Sequence, residues 1–195
     1  MKIIITFILL LFPPIYLNAE TYYENYGNIV LKGSRFSGEP VNTLSGKDFG
    51  VFEINPKLKV ERNNIYFNLE LIVKKLSSKK DVFYDIKEAN VNFENSTWGF
   101  LLGSTEEFWG KTETLNPVDI INSNNYDEGL SKPNKLGEVM IKANREIGIG
   151  DLSIYYLPNF RPNQYPSKKS RLSLPIEVND NEANYVNGAD KNMQQ

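Results

Sequence analysis

From Gly50 onward the chain alternates apolar and polar residues with a period of two. Phe52, Ile54, Pro56, Leu58 and Val60 fall on one side, and Glu53, Asn55, Lys57, Lys59 and Glu61 on the other. A strand with one apolar and one charged face is half buried. Arg62-Asn63-Asn64 is turn chemistry, and the alternation resumes with Ile65, Phe67, Leu69, Leu71 and Val73 against Tyr66, Asn68, Glu70 and Lys74. Over Asp81 to Glu94 the apolar set changes parity, from Val82, Tyr84 and Ile86 to Ala89, Val91 and Phe93. That slip predicts a β-bulge near Lys87. Pro56 cannot donate to a ladder, which predicts an edge strand or a bulge there.

The remaining segments extend the pattern. Ile29-Val30-Leu31 centres a first strand ending near Phe36, while the polar lead Tyr22 to Tyr26 shows no usable period. Trp98 to Gly103 is apolar on both faces, and Gly99 and Gly103 leave room for a plug, a loop or a neighbouring aromatic. Val139, Ile141 and Ala143 oppose Glu138, Lys142 and Asn144, and Leu152, Ile154 and Tyr156 mark a return strand. Arg171 to Val178 reads as an eighth strand interrupted by Pro175, with a polar tail after it. No segment carries a helical period. The expectation is an all-β, antiparallel up-and-down arrangement of seven to eight strands.

Connection lengths say what kind of sheet this is. Long loops are expected at 37–49, 109–136 and 158–169, and short turns at 62–64, 77–80, 95–96 and 147–150. Every long link is odd-numbered along the chain and so emerges at one rim. Outer-membrane barrels show this asymmetry of brief turns and long outside loops. Strands of that kind cross a bilayer in ~9–11 tilted residues. An exported soluble β-sandwich, binding a carbohydrate or a hydrophobic ligand through its Tyr- and Trp-bearing loops, is the alternative.

Composition narrows the function. A formal charge of −2 over 195 residues offers no basic excess to neutralise phosphate, so no nucleic acid is expected as a partner. There is neither Cys nor His, which removes thiol nucleophiles, Ser-His dyads and imidazole or thiolate metal sites. Carboxylate-pair chemistry among Asp81, Asp85, Glu88, Glu106, Glu107 and Asp119 has no spacing that singles out an acid and a base, so no enzyme and no cofactor is expected. The acidic stretch Asp180 to Asp190 lacks the ordered spacing of a calcium loop. Lys2, the apolar run Ile3 to Phe12 and Leu17-Asn18-Ala19 make residues 1–19 a signal peptide, leaving 20–195 as the β-barrel region. That run is too short for a bilayer-spanning helix, which needs ~20 residues.

Several of these segments also resemble a family. Gly103, Trp109-Gly110 and Asn116-Pro117-Val118-Asp119 do so, and the likeness continues through Leu136-Gly137-Glu138-Val139-Met140 and Leu152 to Phe160. Over residues 50–172 the chain resembles porin-like outer-membrane β-barrel proteins of Gram-negative bacteria, a large group of long barrels. Such proteins place a basic residue where Ser104 stands and end on an aromatic residue, whereas this sequence ends Met193-Gln194-Gln195. The resemblance implies an N-terminal part of a larger transmembrane barrel. Its lipid would be that of the outer membrane, its partners the barrel-insertion machinery and small solutes, and its activity their passive or weakly selective passage. The alternation sends Glu70, Glu88 and Lys142 into the lumen. The loop 109–136 is expected to fold inward, hinged on Trp109, with Lys111, Glu113 and Asp119 near a constriction.

Overall fold

A computed structural model describes residues 2–6, 21–39, 44–109, 119–129, 133–159 and 161–175. Eight strands form one antiparallel sheet: β1 (Lys2–Thr6), β2 (Thr21–Arg35), β3 (Asp48–Arg62), β4 (Ile65–Leu76), β5 (Val82–Glu94), β6 (Trp98–Thr105), β9 (Glu138–Glu146) and β10 (Asp151–Tyr156). Two short strands, β7 (Asn124–Asn125) and β8 (Asn134–Lys135), pair with each other inside the β6–β9 connection. Each long strand neighbours the next in sequence, so the order is up-and-down throughout. Among the described residues β1 and β10 do not pair, and the sheet is open.

Cross-strand register carries the alternation into three dimensions. Tyr23, Val60, Phe67, Val91, Leu102, Ile141 and Tyr156 line up in one row across seven strands. This row belongs to an apolar face that stays exposed: Leu102 is 61% and Tyr156 62% accessible. The opposite face is polar, and toward the long-loop rim it is covered by residues 106–109, 119–129, 133–137 and 161–172. Buried polar side chains there include Lys74, Asp85, Asn90 and Glu138, with Asn122 and Asp127 of the covering loop. The buried apolar residues are few. Phe49, Val51 and Leu76 form a small cluster with Phe36 and Leu172 at the long-loop rim.

The predicted bulge is present. Glu70 pairs with Glu88 but Leu71 pairs with Ile86, so Lys87 is the extra residue. Pro56 does not make β3 an edge: β3 lies between β2 and β4. The ladder to β4 lapses only between Ile54–Val73 and Lys57–Glu70. Asn55 supplies what proline lacks, its amide donating to the Leu71 carbonyl at 2.7 Å. A side-chain donor in the right place lets proline occupy a central strand.

Other boundaries move. The Tyr22–Tyr26 lead is strand, paired in unbroken register from Thr21–Arg62 to Arg35–Asp48. Its outward positions carry Asn25 and Gly27, which hid the period. The expected loop 37–49 is shorter because Asp48 and Phe49 belong to β3. Arg171 to Pro175 is turn and irregular chain rather than strand, and the rest of that segment lies outside the described residues. The eighth strand is instead β1, which lies within the segment read as a signal peptide.

Candidate functional site

The polar face and the chain folded over it form one ion-paired surface. Lys74, 2% exposed, is its centre: its ammonium sits 2.9 Å from Glu53 across the β3–β4 ladder and 2.7 Å from Glu128 of the long connection. Lys32 of β2 also reaches Glu128. Lys79 holds Asp127 at 2.7 Å, and the Asn125 side chain accepts from the Asp127 backbone N–H, turning the chain there. Three lysines on β2, β4 and the β4–β5 turn thus grip two adjacent acids. Burial alone would push the Glu128 carboxyl up, but the hydrogen bonds from Lys32 and Lys74 more than offset it and hold the group below its ordinary range.

A second patch surrounds the bulge. Glu70 is paired with Lys57 at 2.7 Å and lies 3.6 Å from Lys87, which also reaches Glu106 at 2.8 Å. Glu88, opposite Glu70 in register, accepts instead from the Thr105 hydroxyl at 3.1 Å and the Glu106 N–H at 3.0 Å. The bulge aims Lys87 inward, and its cation separates two carboxylates that would otherwise repel. Asn90 joins them by donating to Glu88 and to the Ser104 carbonyl at 2.9 Å. Gly103 makes this approach possible. At φ +130° it holds a conformation that side-chain-bearing residues rarely adopt, and a Cβ there would strike the Ala89 carbonyl oxygen.

The third patch fixes the start of the long connection. Glu107 accepts from Lys142 at 2.8 Å and from the Tyr155 hydroxyl at 3.0 Å. The Trp109 ring meets Tyr155 edge-on at 5.6 Å. Asp119 pairs with Lys135 at 2.7 Å and accepts from the Trp109 N–H at 3.2 Å. Asn122, 2% exposed, accepts from the Glu107 N–H at 2.8 Å and donates to the Thr105 and Leu136 carbonyls. One asparagine thereby closes both ends of the connection where it leaves and rejoins the sheet.

Of the residues expected at the site, Glu70, Glu88 and Lys142 lie on the polar face, Glu70 and Glu88 together at the bulge and Lys142 in the patch that fixes the start of the long connection. Trp109 and Asp119 come together beside Lys142. Lys111 and Glu113 lie outside the described residues. Lys74, Asp127, Glu128, Asn122 and Arg161 escaped the sequence reading as site residues, and Asp85 entered it only among the carboxylates whose spacing singled out no acid and base. The parity of Tyr84 and Ile86 placed Asp85 inward, but no local period marks a loop acid such as Glu128.

No family model, curated protein or solved structure matches this chain. Among the described residues no group of three or more His, Cys, Asp or Glu side chains is arranged to hold a metal ion. No described helix is long and apolar enough to cross a membrane, which says nothing about strands.

Proposed function

We propose that this chain forms part of the wall of a porin-like outer-membrane β-barrel of a Gram-negative bacterium, through which small solutes pass passively or with weak selectivity. One observation carries the proposal: the sheet is inverted relative to a soluble protein, with an exposed apolar face and a covered, ion-paired face. Water on one side and lipid on the other accounts for that distribution, because a bilayer solvates the apolar row and the lumen hydrates the charges. At the short-turn end of the apolar face, Trp98 stacks on Phe100 at 5.8 Å with Phe93 6.4 Å beyond, and Arg145 lies over the Trp98 ring. Aromatic and basic side chains of this kind suit a membrane–water interface.

In this reading the β6–β9 connection is a constriction loop pinned against the inner wall by Lys74, Lys79 and Lys142. Charges of both signs line the remaining passage, so width and local field set selectivity. Export would remove residues 1–19 and β1 with them, leaving β2 as an edge. An edge facing lipid is strongly disfavoured, so the barrel closes through β2 and β10, by further strands or a second copy. The full chain, folded into detergent and added to planar bilayers, is expected to give discrete conductance steps. Heat-modifiable migration on a gel would report the folded barrel. Protein that migrates so and inserts, yet conducts nothing, removes the channel while leaving the barrel.

A further inference from the structure

The wall is notched. β3, β4 and β5 span 15, 12 and 13 residues, but β6, β9 and β10 only 8, 9 and 6. β5 pairs with β6 only from Ala89 to Glu94, so Val82–Glu88 has β4 on one side and, among the described residues, no strand on the other. Gly137 approaches this bare edge so closely that a Cβ would strike the Ile86 and Lys87 carbonyl oxygens. Beside it lies a cavity of about 890 Å³. Its lining comes from both faces. Val73, Tyr84, Ile86 and Val139 belong to the apolar face, and Asp85, Glu138 and Arg161 to the polar one.

The polar end is unbalanced. Asp85 is occupied by Arg161 at 2.6 Å, and Arg161 also donates to the Gly137 carbonyl at 3.0 Å. Glu138 is 4% exposed, yet among the described residues no group donates a hydrogen bond to it, and Arg161 acts on it only through its field. Two carboxylates face one guanidinium, which is hydrogen-bonded to Asp85, so the inner end carries one acceptor group without a donor. A buried carboxylate in that condition is costly unless something satisfies it. The volume lies within the ~300–1,000 Å³ of ligand pockets, which are mostly apolar with a few convergent polar groups.

We propose that this cavity binds an amphiphile whose apolar chain enters from the exposed face of the sheet and whose protonated amine is hydrogen-bonded by Glu138. The Arg161–Asp85 pair forms the far wall of the head-group site, and its two charges offset each other, which leaves Glu138 as the acceptor that meets the amine. An anionic head group meets an unpaired acid instead and is refused. The site stands on the cavity and on Glu138, and does not require the chain to conduct.

The test is binding of radiolabelled dodecylamine to the full chain folded in a nonionic detergent, with dodecanoate and dodecanol as length-matched comparisons. Saturable binding of about one amine per chain is expected, with dodecanoate not saturating. Glu138→Gln should weaken the amine by about tenfold or more. Leu71 also lines the apolar end, and Leu71→Trp, which fills it and leaves the acids in place, should abolish binding. The amine/carboxylate preference is read on the unaltered chain, so it holds even where a variant fails to fold. Equal uptake of all three compounds, linear in concentration, would mean partition into the detergent belt only and would overturn the proposal. So would amine binding that survives both substitutions in folded protein.

Discussion

The two faces of the sheet follow one period and obey opposite rules. On one, Phe67, Val91, Leu102, Ile141 and Tyr156 stand exposed in a continuous row. On the other, Lys74, Asp85, Asn90 and Glu138 are buried. In a water-soluble sheet the apolar face would be packed away and the charges left out, because burying apolar surface is the main favourable term in folding. Here the apolar face drives nothing until a second solvent or partner covers it. The polar face holds its covering loop by paired charges rather than by a greasy core. The order of this chain therefore rests on electrostatic matching to a degree unusual for an all-β protein.

The largest expected effect follows from that dependence. Replacing Lys74 by Met removes the cation between Glu53 and Glu128 while keeping most of its volume, leaving two half-buried acids facing each other. Breaking a buried pair in this way costs ~3–5 kcal/mol, whereas removing both partners is far milder. The urea midpoint of protein folded in vesicles should fall sharply for Lys74→Met and recover much of the loss in Lys74→Met/Glu128→Gln. A neutral Lys74→Met would mean that the inner face is freely solvated and that the two faces differ less in how they meet water.

The exposed face is tested by the opposite change. Arginine at Leu102, in the middle of the apolar row, is expected to cost ~2–4 kcal/mol if that row meets hydrocarbon. An exposed site in water tolerates such a substitution to within ~0.5 kcal/mol. Folding yield into vesicles and the urea midpoint read the difference. A Leu102→Arg protein that folds as well without lipid as with it would turn the apolar face into a protein interface rather than a membrane one.

Much of this architecture was legible because a period of two reports directly which side a residue takes. It located β3, β4, β9 and β10 and even the bulge at Lys87, where Ile86 and Ala89 change parity. It failed where the outward side is not apolar, as at Asn25 and Gly27 of β2, since alternation between two polar sets carries no signal. Pro56 misled for a different reason: the donor it lacks is supplied by its neighbour Asn55, a compensation only visible once Leu71 lies opposite. The site was legible mainly in its strand half, with Trp109 and Asp119 the described loop residues that the sequence picked out. Glu70, Glu88 and Lys142 were fixed by parity, but their partners Lys87, Glu106 and Glu107 sit at the bulge or beyond the strand end. Asp127 and Glu128 lie about fifty residues from the lysines of β4 and the turn after it, a separation over which local pattern says nothing.

The smallest effect concerns when the covering loop lets go. Glu128 is drawn down from an ordinary value of 4.5 by Lys32 and Lys74, against the upward push of burial. A carboxyl whose folded value is depressed binds its proton more readily in the unfolded chain. Its contribution is therefore fully present above the unfolded value and fades as pH falls through the lower folded one. Acidification from neutrality should leave the loop in place until about pH 4.5 and loosen it progressively below that, with both lysines still charged. Hydrogen exchange of the Tyr126, Asp127 and Gly129 amides, each of which donates a hydrogen bond in the folded chain, would report the release locally. Glu128→Gln should start from faster exchange at neutral pH and show a shallower acid dependence than the unaltered chain. Equal acid slopes in the two proteins would show that protonation of Glu128 is not what releases the loop.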